Sequence, residues 1–187
     1  MASKDLLWRL GWSTIASAKM GSNPMEIPNT NCSHMNILLW NCRGALNGDF
    51  TRSIFEMTVN HFRSIMIVTE THVGGDRAAK IIDGLPYDGF FFTDTIGYAG
   101  GLWLLWKKEE VEVIMLAATK QEIHATIKVC NSELTWLISA IYASPRLAKR
   151  KILWENLSQV ALLHTPSWLM LGDFNEILCG NDKMGGR

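Results

Sequence analysis

Short apolar runs alternate with amphipathic stretches along the chain. The runs MNILLWN (35–41) and SIMIVTE (64–70) have the length and the continuous hydrophobicity of strands that are covered on both faces, and each ends on a polar residue. Between them, FTRSIFEMTVNHF has apolar residues at helical spacing, at Phe55, Val59 and Phe62. The pattern therefore predicts a β-α-β unit whose helix carries these three side chains on its apolar stripe.

The segment that follows is rich in strands. GFFFTD, GGLWLLW and VEVIMLA are apolar runs separated by turn residues, and LTWLISAIY has the pattern of another buried strand. EIHATIKVC alternates, which predicts a strand with one face directed toward the core. The inward-facing residues of that strand are expected to be Ile123, Ala125, Ile127 and Val129.

A second amphipathic helix is predicted after LTWLISAIY. Ser144 is expected at the N-cap and Pro145 at the first helical position. The residues expected to share its apolar face are Leu153, Leu157, Val160 and Ala161. The helix leads into SWLMLG, so strands and helices alternate and the predicted class is α/β.

The N-terminal part of the chain differs in composition. Residues 21–34, GSNPMEIPNTNCSH, are rich in Gly, Ser, Asn and Pro, so we predict a disordered leader over residues 1–34 and a domain over residues 35–187. Residues 1–20 make a poor signal peptide, and no run approaches the ~20 apolar residues of a membrane helix, so no membrane association is expected.

Charge and cysteine usage narrow the candidate functions. The formal net charge is +0, so any site for a polyanion must be local. The four cysteines are widely spaced and include no Cys-x-x-Cys, which argues against a structural zinc site and against a secreted disulfide framework. A reducing, intracellular compartment is the expectation.

Polar residues follow several of the predicted strands, where ligands gather in open α/β sheets. They are Asn41, Glu70, Tyr142, Asp173 and Asn175. An Asn or Asp after a strand is also a common turn former, and a carboxylate at a strand end can simply be solvated. Burial of the Glu70 carboxylate is costly unless it is paired or binds a cation. Each of the five residues alone can therefore be either an ordinary strand-end residue or part of a ligand site.

Taken together, five motifs in order resemble the endonuclease/exonuclease/phosphatase superfamily. They are WNCRG, TETH, GGLWLLW, IYASP and GDFNEIL, within residues 36–187, and they are most similar to the endonuclease region of plant LINE-type (non-LTR) retrotransposon polyproteins. The resemblance implies a four-layer α/β sandwich with two mixed β-sheets flanked by helices. It also implies DNA as the ancestral substrate and, for an element of this origin, a nuclear location.

The resemblance also assigns roles to the candidate residues. Glu70 is expected to bind Mg²⁺, with Mn²⁺ as a substitute, and Asn41 to support this metal shell. Asp173 would orient or deprotonate the attacking water, and Asn175 would hold the phosphate or the water. Tyr142 would donate its hydroxyl to a phosphate oxygen. Phosphodiester hydrolysis needs such a metal, a positioned water and charge stabilisation.

The sequence departs from the superfamily pattern at its end. The chain stops at Arg187 without the terminal Ser-Asp-His motif, so the sandwich is expected to be incomplete, with the missing segment or a reverse-transcriptase region belonging to a longer polyprotein. His72 is either a phosphate contact or a solvated loop residue. Three functions remain open: a weak or inactive remnant of a Mg²⁺-dependent DNA endonuclease, a non-catalytic module that binds metal or nucleic acid, and a phosphatase acting on a small phosphate ester.

Overall fold

The computed structural model describes residues 13–17, 35–61, 64–95, 100–165 and 167–175, with the backbone alone for 13–17 and 60–61. These ranges contain nine strands and three helices. The strands are β1 (Ser13–Ser17), β2 (Asn36–Asn41), β3 (Ile65–Thr69), β4 (Gly89–Phe92), β5 (Leu102–Trp106), β6 (Val111–Ala118), β7 (Glu122–Val129), β8 (Thr135–Tyr142) and β9 (Trp168–Asp173). The helices are α1 (Phe50–His61), α2 (Gly75–Asp83) and α3 (Leu147–Leu163).

The strands form two mixed sheets. Sheet 1 has the order β1-β2-β3-β5-β4 and sheet 2 has the order β6-β7-β8-β9. Each sheet contains one parallel pair, β2 with β3 and β8 with β9, and the other pairs are antiparallel. A parallel pair needs a crossover connection, which α1 supplies in sheet 1 and α3 in sheet 2. The predicted β-α-β unit is confirmed.

The two sheets pack face to face and helices cover their outer faces. Side chains at alternate positions of β2, β3 and β5 meet those of β7 and β8 in one buried cluster, which includes Ile67, Leu104, Ile123 and Ile138. On the other face of sheet 1, α1 and α2 pack against the remaining side chains of the same strands. Helix α3 packs on the outer face of sheet 2. The result is a four-layer α/β sandwich, as predicted.

The predicted apolar stripe of α1 is wrong, although the helix itself is confirmed. Phe55 is 42% exposed and Val59 is 68% exposed, while Phe62 lies outside the described residues. The helix instead buries Phe50, Ile54 and the polar Thr58. The reason is packing, since the Phe50 ring stacks on Trp40 with ring centroids 5.3 Å apart. Burial of Thr58 is tolerated because its hydroxyl donates to the Ile54 carbonyl oxygen at 2.8 Å.

Helix α3 begins later than predicted. Its N-cap is Arg146, without a side-chain cap, and the Ser144 hydroxyl instead accepts a hydrogen bond from the Arg146 N–H at 3.2 Å. The predicted core contacts of Leu153 and Leu157 are confirmed, while Val160 is half-buried and Ala161 is exposed. On β7, Ile123, Ala125 and Ile127 are fully buried as predicted, and Val129 is partly buried.

Helix α2 was not predicted. Its segment GDRAAKIID buries only Ala78 and Ile82, too few apolar positions to give a recognisable stripe. The strand β1 also lies inside the predicted leader, where its residues pair antiparallel with β2. The remaining leader residues lie outside the described ranges, and the domain boundary at residue 35 stays a prediction.

Two further expectations concern membranes and cysteines. None of the helices in the described ranges is long and apolar enough to cross a membrane. Cys42 and Cys130 carry free thiols, and Cys32 and Cys179 lie outside the described residues.

Candidate active site

The carboxyl ends of the two parallel strand pairs carry the residues predicted from the motifs. In sheet 1, Asn41 at the end of β2 lies opposite Thr69 in the strand register, and Glu70 comes directly after β3. In sheet 2, Tyr142 at the end of β8 lies opposite Asp173 at the end of β9. Each parallel pair therefore brings its candidate residues to one edge of its sheet.

Tyr142 joins these two edges into one site. Partial burial, and then the negative charges of Glu70 and Asp173, raise the pKa of the Tyr142 hydroxyl to about 12. Glu70 follows a strand of sheet 1 and Asp173 ends a strand of sheet 2, so the charges of both sheets act on the same hydroxyl. At neutral pH the hydroxyl remains protonated and can donate a hydrogen bond.

The loop that carries Glu70 has an unusual backbone. Glu70 has a φ of 54° and His72 a φ of 56°, in the left-handed region that non-glycine residues rarely adopt. Gly100 and Gly101, directly before β5, hold the loop, because the His72 N–H donates to the Gly100 carbonyl at 2.9 Å and the Thr71 N–H to the Gly101 carbonyl at 3.3 Å. Backbone strain of this kind persists where the surrounding structure enforces it, often at functional sites.

The two glycines of GGLWLLW allow this close approach. Gly100 and Gly101 have φ values of 81° and 90°. A Cβ on Gly101 would lie 2.1 Å from Thr71 Oγ1, so any side chain there would displace the loop. A Cβ on Gly100 would lie 3.5 Å from the Tyr142 ring, which places this glycine beside the site. The motif was recognised from the sequence, but these steric roles were not.

The GDFN segment is organised by its own side chains. The Asn175 N–H donates to Asp173 Oδ1 at 2.9 Å, and Asn175 Nδ2 donates to the Ala143 carbonyl at 2.7 Å. The Ala143 N–H in turn donates to the Asp173 carbonyl at 2.7 Å. Gly172 is also required, because a Cβ there would lie 2.0 Å from the Ile141 carbonyl oxygen. Asp173 and Asn175 therefore form the turn after β9, and this does not prevent either residue from taking part in the site.

Asn41 and Cys42 lie at the end of β2 and begin the loop that contacts the Glu70 loop. The Arg43 N–H donates to Asn41 Oδ1 at 3.2 Å, so the amide of Asn41 organises its own turn. The Cys42 thiol donates to the Glu70 carbonyl oxygen at 3.6 Å. Burial, reinforced by the Glu70 charge and only partly offset by backbone hydrogen bonds, raises the pKa of this thiol to about 12. The thiol is therefore unreactive and links the two loops.

His72 lies against the Asn41 loop. Its Nδ1 would be 3.8 Å from a Cβ built on Gly44, which itself has a φ of 115°. The other histidines with described side chains lie elsewhere: His124 is buried on β7 and His164 caps the carboxyl end of α3. A phosphate-contacting role for His72 stays a prediction.

The donor set fits a partly hydrated divalent cation. Mg²⁺ prefers hard oxygen ligands and is often bound through one or two carboxylates while it keeps several waters. The two candidate carboxylates are Glu70, directly after β3, and Asp173, opposite Tyr142 at the end of β9, and the charges of both act on Tyr142. No cluster of three or more His, Cys, Asp or Glu side chains suited to a metal occurs within the described ranges, so a fully protein-ligated centre is not formed by these residues.

Comparison with solved structures identifies the fold. The chain is similar to the endonuclease domain of TRAS1, a telomere-specific non-LTR retrotransposon, with a TM-score of 0.58 and 13% identity over 76% of this chain and 61% of that one. It is similar to D. rerio TDP2 complexed with a single-strand DNA product, with a TM-score of 0.53 and 15% identity over 76% of this chain and 61% of that one. It is also similar to an endonuclease/exonuclease/phosphatase family protein from Bacteroides thetaiotaomicron, with a TM-score of 0.50 and 13% identity over 75% of this chain and 62% of that one.

These similarities define the class of the molecule. The chain has the endonuclease/exonuclease/phosphatase fold, so the resemblance seen in the sequence motifs is confirmed at the level of the fold. The chain spans less than two thirds of the length of these three structures. No model of a protein family matches the sequence, and no curated protein matches it either.

Proposed function

We propose that this chain is the endonuclease-type portion of a non-LTR retroelement protein and that its site hydrolyses DNA phosphodiesters with Mg²⁺. The observation that supports this most directly is that Tyr142 lies opposite Asp173 at the strand ends of sheet 2 and is also acted on by the charge of Glu70, which follows a strand of sheet 1. The fold similarity to a retrotransposon endonuclease domain and to a structure holding a DNA product is consistent with it.

Each residue can perform a step of this chemistry. Glu70, supported by Asn41, would hold the Mg²⁺ ion, which when bound would neutralise phosphate charge and which Mn²⁺ would replace. Asp173 would orient the attacking water and accept its proton. Tyr142 would donate its hydroxyl to a phosphate oxygen, because its raised pKa keeps the proton in place. Asn175, held by Ala143, would contact the phosphate or the water.

We further propose that cleavage by this chain is slow. Within the described residues the site contains two carboxylates and a hydroxyl, and His72 is the one histidine beside it. If His72 does not contact the phosphate, the described site has no histidine for that contact. Loss of one preorganised contact to the transition state typically lowers the rate by about 10²- to 10³-fold. A non-catalytic module that binds metal or nucleic acid is the second candidate, because Asp173 and Asn175 already bond within their own turn.

Nicking of supercoiled plasmid in Mg²⁺ tests the proposal. We expect slow nicking by the wild-type chain, its loss in EDTA and in Asp173→Asn, and its retention in Asp49→Asn. Asp49 is a suitable matched control because it forms an exposed ion pair with Arg52, with both side chains more than two-thirds exposed. Nicking that survives Asp173→Asn would contradict the proposed role of this residue. Mg²⁺-dependent DNA binding without nicking would favour the non-catalytic module.

A further inference from the structure

A second polar cluster is buried between sheet 2 and α3, apart from the candidate active site. Glu122 and His124 on β7 are 1% and 4% exposed, and Ser139 on β8 is fully buried. Trp168 on β9 and Asn156 on α3 complete the cluster. Polar groups so deeply buried are costly unless each has a partner. The side chains of this cluster are therefore expected to bond to one another.

The side chains form a continuous chain of contacts across three strands and the helix. Trp168 Nε1 donates to Ser139 Oγ at 2.8 Å, and Ser139 Oγ lies 2.6 Å from His124 Nδ1. His124 Nε2 faces Glu122 Oε2 at 3.3 Å. The other Glu122 oxygen accepts from Asn156 Nδ2 at 2.6 Å and from the Thr119 hydroxyl at 3.3 Å.

Donor and acceptor chemistry gives this chain one direction. The Trp168 indole can only donate, so Ser139 Oγ accepts from it and has its own proton to donate to His124 Nδ1. A neutral His124 ring that accepts this proton carries its own proton on Nε2, which faces the Glu122 carboxylate. Although they lie 3.3 Å apart, these two atoms do not form a hydrogen bond, and neither has a hydrogen-bond partner within the described structure. The opposite tautomer would direct an imidazole lone pair at the carboxylate and leave the Ser139 proton without an acceptor.

We propose that this network, from Trp168 through Ser139 and His124 to Glu122, holds His124 as the Nε2–H tautomer and positions the ends of β8 and β9. Ser139 lies three residues before Tyr142 in β8, and Trp168 lies five residues before Asp173 in β9. The indole-to-hydroxyl bond links these two strands directly, on the face of sheet 2 that α3 covers. The network members are thus positioning residues, and their consequence for cleavage rests on the proposed function.

The tautomer can be measured in the wild-type chain without any substitution. Long-range ¹H–¹⁵N correlation spectra of uniformly ¹⁵N-labelled protein distinguish a protonated ring nitrogen from a bare one, and His124→Gln assigns the signals. We expect a protonated Nε2 and a bare Nδ1 at neutral pH. A protonated Nδ1, whether Nε2 is bare or also protonated, would overturn the proposed direction of the network.

The positioning role is tested with a matched pair of tryptophan substitutions. Trp168→Phe removes the indole donor, while Trp136→Phe makes the same change on β8 within the core between the sheets. Hydrogen exchange of the Ala143 amide reports the site end of β8 and β9, because this N–H donates to the Asp173 carbonyl. We expect roughly 10-fold faster exchange of this amide in Trp168→Phe than in Trp136→Phe, with β3 amides equal in the two variants.

Equal Ala143 exchange in the two variants would overturn the positioning role. If Trp168→Phe does not fold, Glu122→Gln provides the second variant, since it keeps an acceptor but removes the charge that faces Nε2. We expect it to mix the two His124 tautomers, and an unchanged spectrum would count against the network. Both measurements are independent of cleavage, so an inactive wild-type chain would refute the proposed function and leave the network testable.

Discussion

Two glutamates of this chain occupy opposite environments. Glu122 is 1% exposed, and its carboxylate faces Asn156, Thr119 and His124. Glu70 is half-buried on a left-handed backbone, and its carboxylate makes no hydrogen bond to the described residues. Its charge instead acts on Tyr142, as does the charge of Asp173.

The difference separates an acid that stabilises the fold from an acid available for binding. Burial of Glu122 is tolerated because its Oε1 accepts two hydrogen bonds and its Oε2 faces His124 Nε2. Glu70 has a strained backbone and shares its site with a second carboxylate, and neither feature helps the chain to fold. Such an arrangement is expected where a cation supplies the missing interaction.

The largest expected difference is between the unfolding free energies of Glu122→Ala and Glu70→Ala. Glu122→Ala leaves His124, Asn156 and Thr119 without their common partner, and each buried polar group that loses its partner lowers the unfolding free energy by about 1–3 kcal/mol. Glu70→Ala should change that free energy by less than about 0.5 kcal/mol, since the Glu70 carboxylate forms no hydrogen bond with the residues that the structure describes. Urea denaturation measures both. Similar losses in the two variants would show that Glu70 also stabilises the fold.

Substitution of Gly101 tests the support of the Glu70 loop. Gly101→Ala places a Cβ against Thr71 Oγ1 at a φ of 90°, so we expect a loss of about 2–3 kcal/mol from strain and overpacking. Gly48→Ala is the matched control, because a Cβ there meets nothing within 4 Å. Denaturation curves that coincide for the two variants would mean that the loop adapts freely.

Mg²⁺ should stabilise the folded chain through Glu70. At a free concentration ten times Kd, binding to the folded state alone adds about 1.4 kcal/mol. We expect this increment in the wild type and in Glu122→Gln, and its absence in Glu70→Gln. Urea titrations at fixed ionic strength measure it. An increment that persists in Glu70→Gln would place the metal elsewhere.

The smallest effect concerns the pH dependence of Tyr142. Its pKa is about 12 in the folded chain against 10 as the ordinary value, so between these values the folded state holds the proton more tightly than the unfolded state. Stability from this group is complete below pH 10 and falls as the pH rises toward 12. In Glu70→Gln the pKa should fall, but only partly, because burial is the larger cause. Titration of the Tyr142 ring ¹³C signal measures this pKa. An identical Tyr142 pKa in the wild type and in Glu70→Gln would show that the Glu70 charge does not act on the hydroxyl.

The strands and the candidate site were predictable because their signals are local. Buried strands appear as continuous apolar runs, and the polar residue that ends each run is visible beside it, as with Asn41 and Tyr142. The convergence of Glu70 and Asp173 needed the packing of two sheets, which no single run reveals. Their expected roles came from the resemblance and stay predictions.

The buried network shows why other features were missed. Along β7, Glu122 and His124 occupy the polar positions of an alternating pattern, which normally face solvent. They are buried because α3, which begins more than twenty residues later, covers that face. The wrongly predicted stripe of α1 has a similar origin. The Phe50 ring packs on Trp40 of the sheet, so the helix face with Phe50 and Ile54 is buried and Phe55 and Val59 are exposed.

The register of β8 and β9 has a consequence for tolerance to insertions. Tyr142 lies opposite Asp173 in a parallel ladder, whose strands are about 4.8 Å apart whatever connects them. Gly172 keeps the two backbones at that spacing, because no Cβ fits beside Ile141. The connections on either side of α3 can therefore be lengthened without moving these two residues apart. A circularly permuted or loop-extended chain would preserve the pair, provided that the ladder and the helix over it remain intact.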